Sequence, residues 1–579
     1  MQESKKHKKE NKCAAVTQKP VHFNLKLWML GCASALLLSI PYIIPHVGMV
    51  ALVAFLPLLA AEYIATENGK KNFWIIYYCT FLIWNIITTY WIYLATLPGA
   101  IAAVTLNALQ MAIIFRLFRW FRKLTGGVLP YLFLIFLWVG WEHIYATWQV
   151  TWPWLTLGNA FATSIKSIQW YSVFGALGGS FWILLVNVLL FRVLLQFSKK
   201  EPVKFSAIFV AIIILLPIVC SQIRYYSYKE KTGEQLTKQV AVLQPNIDPY
   251  NDKFGGMSRL AQDSVLFNLA HNAVTDKTFL VLAPETFYTP MDRLGILSED
   301  SPNDCYTFNR FQNFAEQYKV NFIFGAVTQH YYMPIMNTNR VGEGAASQYY
   351  ELNVAPTPTA RPLAGGAIWY DSFNTAVFVG PVGEQADFYH KNKLVILAES
   401  IPIINGKSVF KSLGIDLGGY IGSYGRDKVA TVFTTHDDVM LGTAICYDSV
   451  FGDYFRQYVE KGAQMMTVIT NDGWWGNTFG YRQHLNYARL RAIETRRDIA
   501  RCANTGVSAF INQRGDIVSQ TGWWKRCYLK GEVNLNNDIT VFVKYGDIIG
   551  RVSLFAFFLL LLAGIVRQIT KKSIIKGVL

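Results

Sequence analysis

Eight long apolar stretches dominate the pattern of hydrophobic and polar positions along the chain. Each has about 20 residues, the length that an α-helix needs to cross the hydrocarbon core of a bilayer. The stretches lie near residues 25–44, 47–64, 73–95, 98–117, 127–146, 173–195, 203–221 and 548–567. The pattern therefore predicts seven transmembrane helices, then a large domain, and then an eighth transmembrane helix.

The region between the seventh and eighth stretches has a different pattern, in which short β-type runs alternate with longer helical ones. Strands are predicted at 239–246, 278–284, 321–326, 375–380, 429–434, 440–447, 465–471 and 507–512, and helices at 257–274, 303–319, 449–462 and 480–502. This alternation is typical of an α/β layered domain. Residues 333–369 have no periodicity, so they are predicted to form one long loop, which beside a bilayer is expected to act as a lid.

Charge separates the two regions further. Only 16% of the 579 residues are charged, against about 25% in soluble proteins. Residues 222–547 contain 31 Lys and Arg against 32 Asp and Glu, whereas the remaining 253 residues contain 23 against 6. The basic excess thus lies beside the apolar stretches, as the positive-inside rule requires. A nucleic-acid-binding protein would carry it on the folded domain, so no nucleic-acid partner is expected.

The positions of Lys and Arg also predict the orientation in the membrane. They cluster in the N-terminal tail and after the second, fourth, sixth and eighth stretches, which places these segments in the cytoplasm. The predicted domains are a cytoplasmic tail at 1–24, a membrane domain at 25–221, a periplasmic domain at 222–547, a transmembrane helix at 548–567 and a cytoplasmic tail at 568–579. The first stretch is too long for a signal peptide. We therefore expect a multi-pass protein of the bacterial inner membrane.

Three segments of the periplasmic domain carry candidate chemistry. An apolar strand ends at Glu285, another ends at Cys446, and Lys391 lies between them in the chain. A thiol attacks a carbonyl as the thiolate, which requires a base and a nearby cation, and the resulting oxyanion requires a positive or N–H donor. These three residue types can supply those roles together. Taken singly, each has a simpler interpretation, since a cysteine at the end of an apolar strand is usually an inert buried thiol.

Neither a disulfide framework nor a metal site is indicated. The eight cysteines show no paired spacing, and the nine histidines form no cluster at ligand spacing. No organic cofactor is expected either.

The order of four motifs resembles the Glu-Lys-Cys signature of the nitrilase superfamily. The motifs are Ala283-Pro-Glu285, Tyr389-His-Lys391, Ile445-Cys446-Tyr447-Asp448 and Thr470-Asn-Asp-Gly-Trp474-Trp475. Further matches are Trp152-Pro-Trp-Leu155, Gln244-Pro-Asn-Ile247 and Ala488-Arg-Leu-Arg-Ala-Ile-Glu494. With membrane helices on both sides, the whole chain resembles the apolipoprotein N-acyltransferase family.

This resemblance implies an αββα sandwich carried on a bundle of about eight membrane helices, and a ping-pong acyl transfer. Glu285 would accept the proton of Cys446, and the thiolate would attack the sn-1 ester of a phospholipid such as phosphatidylethanolamine. Lys391 would stabilise the oxyanion. The α-amine of an S-diacylglyceryl-cysteine at the N-terminus of an apolipoprotein would then take the acyl chain from the thioester.

The resemblance also assigns supporting roles. Glu399 would support Lys391 or the incoming amine, and the Tyr447 N–H would contribute to the oxyanion hole. Trp474 or Trp475 would line the acyl pocket. Asp448 departs from the family, in which many members have Glu, so a catalytic role for it is in doubt.

Two other functions remain open at this point. A membrane-tethered nitrilase-type amidase or hydrolase would use the same three residues but pass the acyl group to water. A non-catalytic lipoprotein-binding protein would be expected to lack one of the three residues, and none is missing here.

Overall fold

A computed structural model gives the arrangement of the chain. It describes residues 19–70, 72–148, 150–289, 296–332, 356–363, 368–382, 386–400, 403–404, 407–408 and 423–578. The predicted cytoplasmic tail at 1–24 and the predicted loop at 333–369 fall mostly outside these residues. The proposed domain boundaries and their sides of the membrane remain predictions.

The membrane part begins with helices α1 to α8. Their bounds are α1 Lys19–Ile43, α2 Leu56–Glu67, α3 Trp74–Thr89, α4 Ile92–Ala95, α5 Leu97–Thr125, α6 Leu129–Thr147, α7 Tyr171–Ser198 and α8 Lys204–Ser227. A 3₁₀ helix, Gly48–Val53, precedes α2. The last helix of the chain returns to this bundle and packs closely on α6, where a Cβ on Gly140 would lie 3.0 Å from the Leu554 Cα.

Seven helical segments of the described chain are long and apolar enough to cross a membrane, and they match seven of the eight predicted spans. The span predicted at 73–95 is shorter, because its apolar helix ends at Thr89. Beyond it the backbone turns to meet the other domain: the Thr88 carbonyl accepts hydrogen bonds from Trp91 Nε1 and Gln483 Nε2, each at 3.1 Å. The end of this helix thus lies in contact with the other domain.

The region after α8 contains sixteen strands and six helices among the described residues. The strands are β1 Thr237–Gln244, β2 Thr278–Leu282, β3 Leu297–Ser298, β4 Asn321–Tyr332, β5 Arg361–Leu363, β6 Ile368–Val379, β7 Asp387–His390, β8 Ile403–Ile404, β9 Lys407–Ser408, β10 Val432–Thr434, β11 Met440–Ile445, β12 Met465–Thr470, β13 Ile499–Ala503, β14 Ala509–Ile511, β15 Ile517–Gln520 and β16 Cys527–Asn534. The helices are α9 Arg259–Ala273, α10 Tyr306–Tyr318, α11 Gly452–Glu460, α12 Phe479–Thr495, α13 Val541–Tyr545 and α14 Ile548–Val578.

Two large sheets form the centre of this domain. One has the order β16-β1-β2-β4-β6-β5, with β3 beside β4 and β7 beside β6, and the other has the order β10-β11-β12-β13-β14-β15. Their inner faces touch, since the Cys502 thiol donates to the carbonyls of Leu243 and Leu282 at 3.2 and 3.4 Å. Helices α9 and α10 cover the first sheet through a core rich in phenylalanine, and α11 and α12 lie against the second. The predicted αββα sandwich on a membrane bundle is confirmed.

Two predictions about local structure are wrong. The helix predicted at 480–502 ends at Thr495, because Arg496 adopts a left-handed conformation with φ of 52°. Strand β13 follows at once and pairs with β12 and β14. The stretch 333–369 is not one loop, since Arg361–Leu363 pairs with β6 and β6 itself begins at Ile368.

Helix α12 joins the two parts of the molecule. Gln483 on this helix donates to the carbonyls of Tyr42 in α1 and Thr88 in α3, both at 3.1 Å, and accepts from Trp154 Nε1 at 2.7 Å. The Tyr487 hydroxyl donates to the Trp154 carbonyl at 2.7 Å. The segment that follows α6 is therefore held between the membrane helices and the sandwich.

Candidate active site

Strand direction brings the candidate catalytic residues to one place. Strand β2 is parallel to β4, and β4 and β7 are both antiparallel to β6. Strands β2 and β7 therefore run the same way, so Glu285 and Lys391 leave the first sheet at one edge. Cys446 follows β11 in the opposed sheet. All three line a cavity of about 520 Å³ between the sandwich and the membrane helices.

Lys391 lies between two carboxylates. Its Nζ donates to Glu285 Oε1 and to the Glu399 carboxylate, both at 2.9 Å. The Asn374 side-chain amide donates to the same two carboxylates, each at 2.8 Å. Because these side chains are buried or nearly so, water screens their charges poorly. Lys391 thus contacts Glu399, the residue expected to support either Lys391 or the incoming amine.

The backbone holds Glu285 from two sides. Its second oxygen, Oε2, accepts from the Asn471 N–H at 3.1 Å. The turn at Glu285 also lies very close to β4, where a Cβ on Gly325 would come within 2.6 Å of the Glu285 Cα and the Pro284 carbonyl oxygen. Only glycine fits this approach, so it fixes the carboxylate relative to the sheet.

Burial and charge set the resting state of the site. Burial acts to raise the pKa of Glu285, but the positive Lys391 and the hydrogen bonds from Lys391 and Asn374 lower it below the usual value. Burial acts to lower the pKa of Lys391, but Glu285 and Glu399 raise it well above the usual value. Burial and the negative Glu285 raise the pKa of the Cys446 thiol well above its usual value. The site thus rests with an ionised carboxylate and a neutral thiol.

Cys446 has an unusual backbone conformation. Its φ is 47°, in the left-handed region that costs of order 1–3 kcal/mol for a residue other than glycine. Its carbonyl accepts from Ser449 Oγ at 2.6 Å and from His484 Nε2 at 3.1 Å. Such strain persists only where the surroundings hold it, and it often marks a functional position.

The residues that follow Cys446 differ in their environment. The Tyr447 ring faces the cavity and stacks on Trp152 with ring centroids 5.9 Å apart. Asp448 points away from the cavity and is fully buried. It accepts from the Lys393 N–H at 2.7 Å and the Tyr389 hydroxyl at 2.8 Å. Burial raises the pKa of Asp448 to about 6, against the effect of these hydrogen bonds.

Aromatic rings form the opposite side of the cavity. Trp91 contacts Trp154 and Trp475 with ring centroids 5.0 and 4.8 Å apart, and Trp152 stacks on Trp154 at 5.1 Å. Trp474 also lines the cavity. Trp474 and Trp475, one of which was expected to line an acyl pocket, thus both line this cavity.

The cavity continues along one face of α5. Its lining there is Gly99, Ala102, Ala103, Leu106, Leu109, Gln110 and Ile113. From Gly99 to Ile113 this face spans about 21 Å of helix. Leu106, Leu109 and Ile113 are exposed on the surface of the bundle, so the cavity connects the polar site with an apolar outer face.

Sequence reasoning missed three residues of this site. Asn374 lies within a strand, Asn471 acts through its backbone N–H, and His484 lies on a helix almost forty positions after Cys446. Asn374 and His484 lie in none of the recognised motifs, and Asn471 lies in the motif at 470–475 but acts through its backbone, which residue type does not reveal. Among the described residues, no group of three His, Cys, Asp or Glu side chains could hold a metal ion.

Family models match both parts of the molecule. Residues 239–538 match the model described as carbon-nitrogen hydrolase. The chain belongs to the carbon-nitrogen hydrolase family. Residues 34–189 match the model described as apolipoprotein N-acyltransferase N-terminal domain. The resemblance to the apolipoprotein N-acyltransferase family of the nitrilase superfamily is confirmed.

Individual relatives match this chain over nearly its full length. An apolipoprotein N-acyltransferase of Chlorobaculum tepidum is 29% identical over 557 residues, which cover 94% of this chain and 97% of the relative. One of Geobacter metallireducens is 25% identical and covers 90% of this chain and 92% of the relative. Among solved structures, an amidase from Nesterenkonia sp. is 16% identical and covers 55% of this chain and 96% of its own, with a TM-score of 0.34.

Proposed function

We propose that this chain is an apolipoprotein N-acyltransferase that transfers a fatty acyl chain from a phospholipid to a lipoprotein. The donor is the sn-1 ester of a phospholipid such as phosphatidylethanolamine. The acceptor is the α-amine of the N-terminal S-diacylglyceryl-cysteine of an apolipoprotein. The observation that carries this proposal is the cavity itself, because it joins a buried carboxylate, cation and thiol to an apolar outer face of α5.

In the first half of the reaction, Glu285 removes the Sγ proton of Cys446 as the sulfur attacks the ester carbonyl. Lys391 carries the positive charge that stabilises the oxyanion. The bond from the acyl carbon to the glycerol oxygen then breaks, and protonated Glu285 returns the proton to that oxygen. A lysophospholipid leaves, and Cys446 holds the acyl chain as a thioester.

In the second half, Glu285 takes a proton from the acceptor amine as its nitrogen attacks the thioester carbonyl. The carbon–sulfur bond breaks, an amide forms, and the Cys446 sulfur recovers the proton. The thioester must be kept from water, or it would hydrolyse. The aromatic side of the cavity and the apolar face of α5 support this exclusion.

The same proposal places the enzyme in the bacterial inner membrane with its sandwich on the periplasmic side. The alternation of basic loops supports this orientation. Diacylglyceryl lipoproteins and phospholipids then reach one cavity from the same leaflet. A nitrilase-type amidase or hydrolase would use the same three residues, and the distinction lies in what discharges the thioester.

The test is to incubate the purified protein in detergent with phosphatidylethanolamine that carries an alkyne on its sn-1 chain. We expect a hydroxylamine-sensitive adduct on the parent protein that is discharged by a diacylglyceryl-cysteinyl peptide. Cys446→Ala and Glu285→Ala should form none, whereas Cys502→Ala, which removes another buried thiol, should react normally. Discharge by water alone would favour the hydrolase, and a folded protein without any adduct would overturn the lipid-donor proposal.

A further inference from the structure

A hydrogen-bonded cluster behind Cys446 has no part in the steps described so far. It comprises His484 on α12, Asp472 and Arg501, all fully buried or nearly so. His484 Nδ1 lies 3.0 Å from Asp472 Oδ1 and 3.1 Å from Arg501 Nη2, and Arg501 Nη2 donates to Asp472 Oδ2 at 2.5 Å. The histidine ring is thus held firmly at one nitrogen.

The other ring nitrogen reaches the nucleophile's own backbone. His484 Nε2 lies 3.1 Å from the Cys446 carbonyl oxygen. A carbonyl oxygen can only accept, and Ser449 Oγ, which lies 3.1 Å from Nε2, has its one hydrogen on that same carbonyl. Nε2 therefore has two acceptors beside it and carries a hydrogen. Ser449 Oγ donates to the same oxygen at 2.6 Å. Two buried donors therefore fix the direction of one carbonyl.

The direction of this carbonyl decides the direction of a second group. The peptide bond is planar and trans, so the Tyr447 N–H points opposite to the Cys446 carbonyl. Tyr447 is the second residue of the turn Cys446–Val450, and the first N–H groups of a helical turn have no partner within it. The donors to the Cys446 carbonyl therefore also set the direction of the Tyr447 N–H. They stabilise the left-handed φ of Cys446 as well.

We propose that His484 is a positioning residue that holds the Cys446–Tyr447 peptide plane, so that the thiol and the Tyr447 N–H stay aimed at the acyl carbonyl. This role rests on the proposed acyl transfer for its purpose, but the geometry concerns Cys446 alone. A small displacement of this peptide would be enough to matter, because a misplacement of about 1 Å at a reacting group can cost about 10²-fold in rate.

Substitutions of His484 can distinguish the effect of its hydrogen-bond donor from the effect of its volume. His484→Gln places an amide N–H near the position of Nε2, whereas His484→Asn reaches only the position of Nδ1, and His484→Leu has no donor. Thr495→Val is the matched control, because Thr495 is buried on the same helix and donates only to the Arg491 carbonyl at 2.7 Å.

The first readout is alkylation of Cys446 by iodoacetamide across pH, followed by mass spectrometry of the Cys446 peptide in the full-length protein. It needs no phospholipid. We expect at least a tenfold slower reaction and a displaced pH profile for the Leu and Asn variants, near-parental behaviour for Gln, and no change for Thr495→Val. If the Leu variant does not fold, the comparison of Gln with Asn decides.

The second readout is thioester formation with the alkyne-tagged phospholipid. We expect kcat to fall about 10²-fold in the Leu and Asn variants, with KM unchanged and recovery in Gln. Parental alkylation and acylation in the Asn variant, or equal losses in Gln and Asn, would overturn the role of His484. If the alkylation pattern holds but the parent forms no thioester, the acyl-transfer proposal fails while the positioning role stands.

Discussion

The two walls of the central cavity are built in opposite ways. The polar wall, defined by Glu285, Asn374, Lys391 and Glu399, belongs to the sandwich and is held by hydrogen bonds from one ammonium and one amide to two carboxylates. The aromatic wall, defined by Trp91, Trp152, Trp154, Tyr447 and Trp475, combines membrane and sandwich residues through ring contacts. The polar wall requires its specific partners because an unpaired buried charge is costly, whereas ring packing has no single required partner.

This difference predicts that the rate of thioester formation depends on the polar wall. The choice of acyl chain should depend on the apolar side of the cavity. Changes to the polar wall should lower the rate of thioester formation whatever the acyl chain. Changes on the apolar side of the cavity should alter the choice of chain. The following variants test this division, from the largest expected effect to the smallest.

Lys391→Met should produce the largest loss. It removes the charge that we propose for the oxyanion, and with it the cation that lies between the Glu285 and Glu399 carboxylates. We expect thioester formation to fall by about 10³-fold or more, since the loss of one oxyanion donor alone costs about 10²–10³. Breaking a buried pair should also lower the free energy of unfolding by about 3–5 kcal/mol.

The control for this variant lies two residues along the chain. Lys393→Met removes a cation whose Nζ lies 5.0 Å from the centre of the Phe451 ring, outside the polar wall. Its thioester rate should stay within about threefold of the parent, since its Nζ lies over the Phe451 and Tyr454 rings and not among the groups of the polar wall. A comparable loss in both variants would mean that the polar wall has no special role.

Asn374→Leu should shift the pH dependence of the polar wall. The hydrogen bond from Asn374 is one of the causes that lower the pKa of Glu285, after the charge of Lys391. A base with a lowered pKa stays ionised until the pH falls through that lowered value. Removing the donor raises the pKa, so the acid limb of thioester formation should move to higher pH.

The neighbouring strand position supplies the control for the pH shift. Thr375→Val removes a hydroxyl that contacts Thr328 at 2.6 Å and His390 at 3.0 Å, on the other side of β6. Its acid limb should coincide with that of the parent, measured as the initial rate of adduct formation from pH 4 to pH 8. An unmoved limb in Asn374→Leu would show that Asn374 does not set the pKa of the base.

The sequence predicts some residues of this site and not others. Glu285, Lys391 and Cys446 each follow a strand in a recognisable motif, so residue type and order suffice to place them together. Asn374 carries no such signal, because its role depends on two antiparallel pairings of β6. Trp91 and Trp154 lie far apart in the chain and meet where both contact α12. Contacts of that kind arise from tertiary packing, which local patterns do not encode.

Ala103→Phe should change chain preference more than rate. Ala103 is half-buried in the groove along α5, with Ala102 and Leu106 as neighbours in the lining. A phenyl ring there shortens the groove. The rate with donors of long saturated acyl chains should therefore fall about tenfold relative to the rate with short ones, since small changes of fit are worth about 1–3 kcal/mol. Competition between donors of two chain lengths measures the ratio.

The matched control is on the same helix but outside the cavity. Thr105→Phe adds the same ring at a half-buried position that does not line the cavity. It should leave the ratio of the two donors unchanged. If both variants shifted the ratio equally, the groove along α5 would not be where the acyl chain lies.

Asp448→Asn should have the smallest effect on chemistry, because Asp448 lies behind the polar wall and does not line the cavity. Its effect should appear as stability, since the pKa of about 6 in the folded protein exceeds the roughly 3.9 of an unfolded chain. The folded state then binds more protons between these values, so the parent should lose stability as the pH rises from 4 to 6.

The asparagine variant has no carboxyl group to titrate at position 448. The difference in melting temperature between parent and variant therefore separates the effect of Asp448 from that of other buried acids. We expect the parent's advantage to shrink between pH 4 and pH 6 and then to stay constant up to pH 8. Thioester formation at pH 7.5 should stay within about threefold of the parent, as suits a residue that acts on folding. A 10²-fold loss of rate with unchanged stability would instead make Asp448 part of the reacting site, and the polar wall would extend one layer deeper than its contacts indicate.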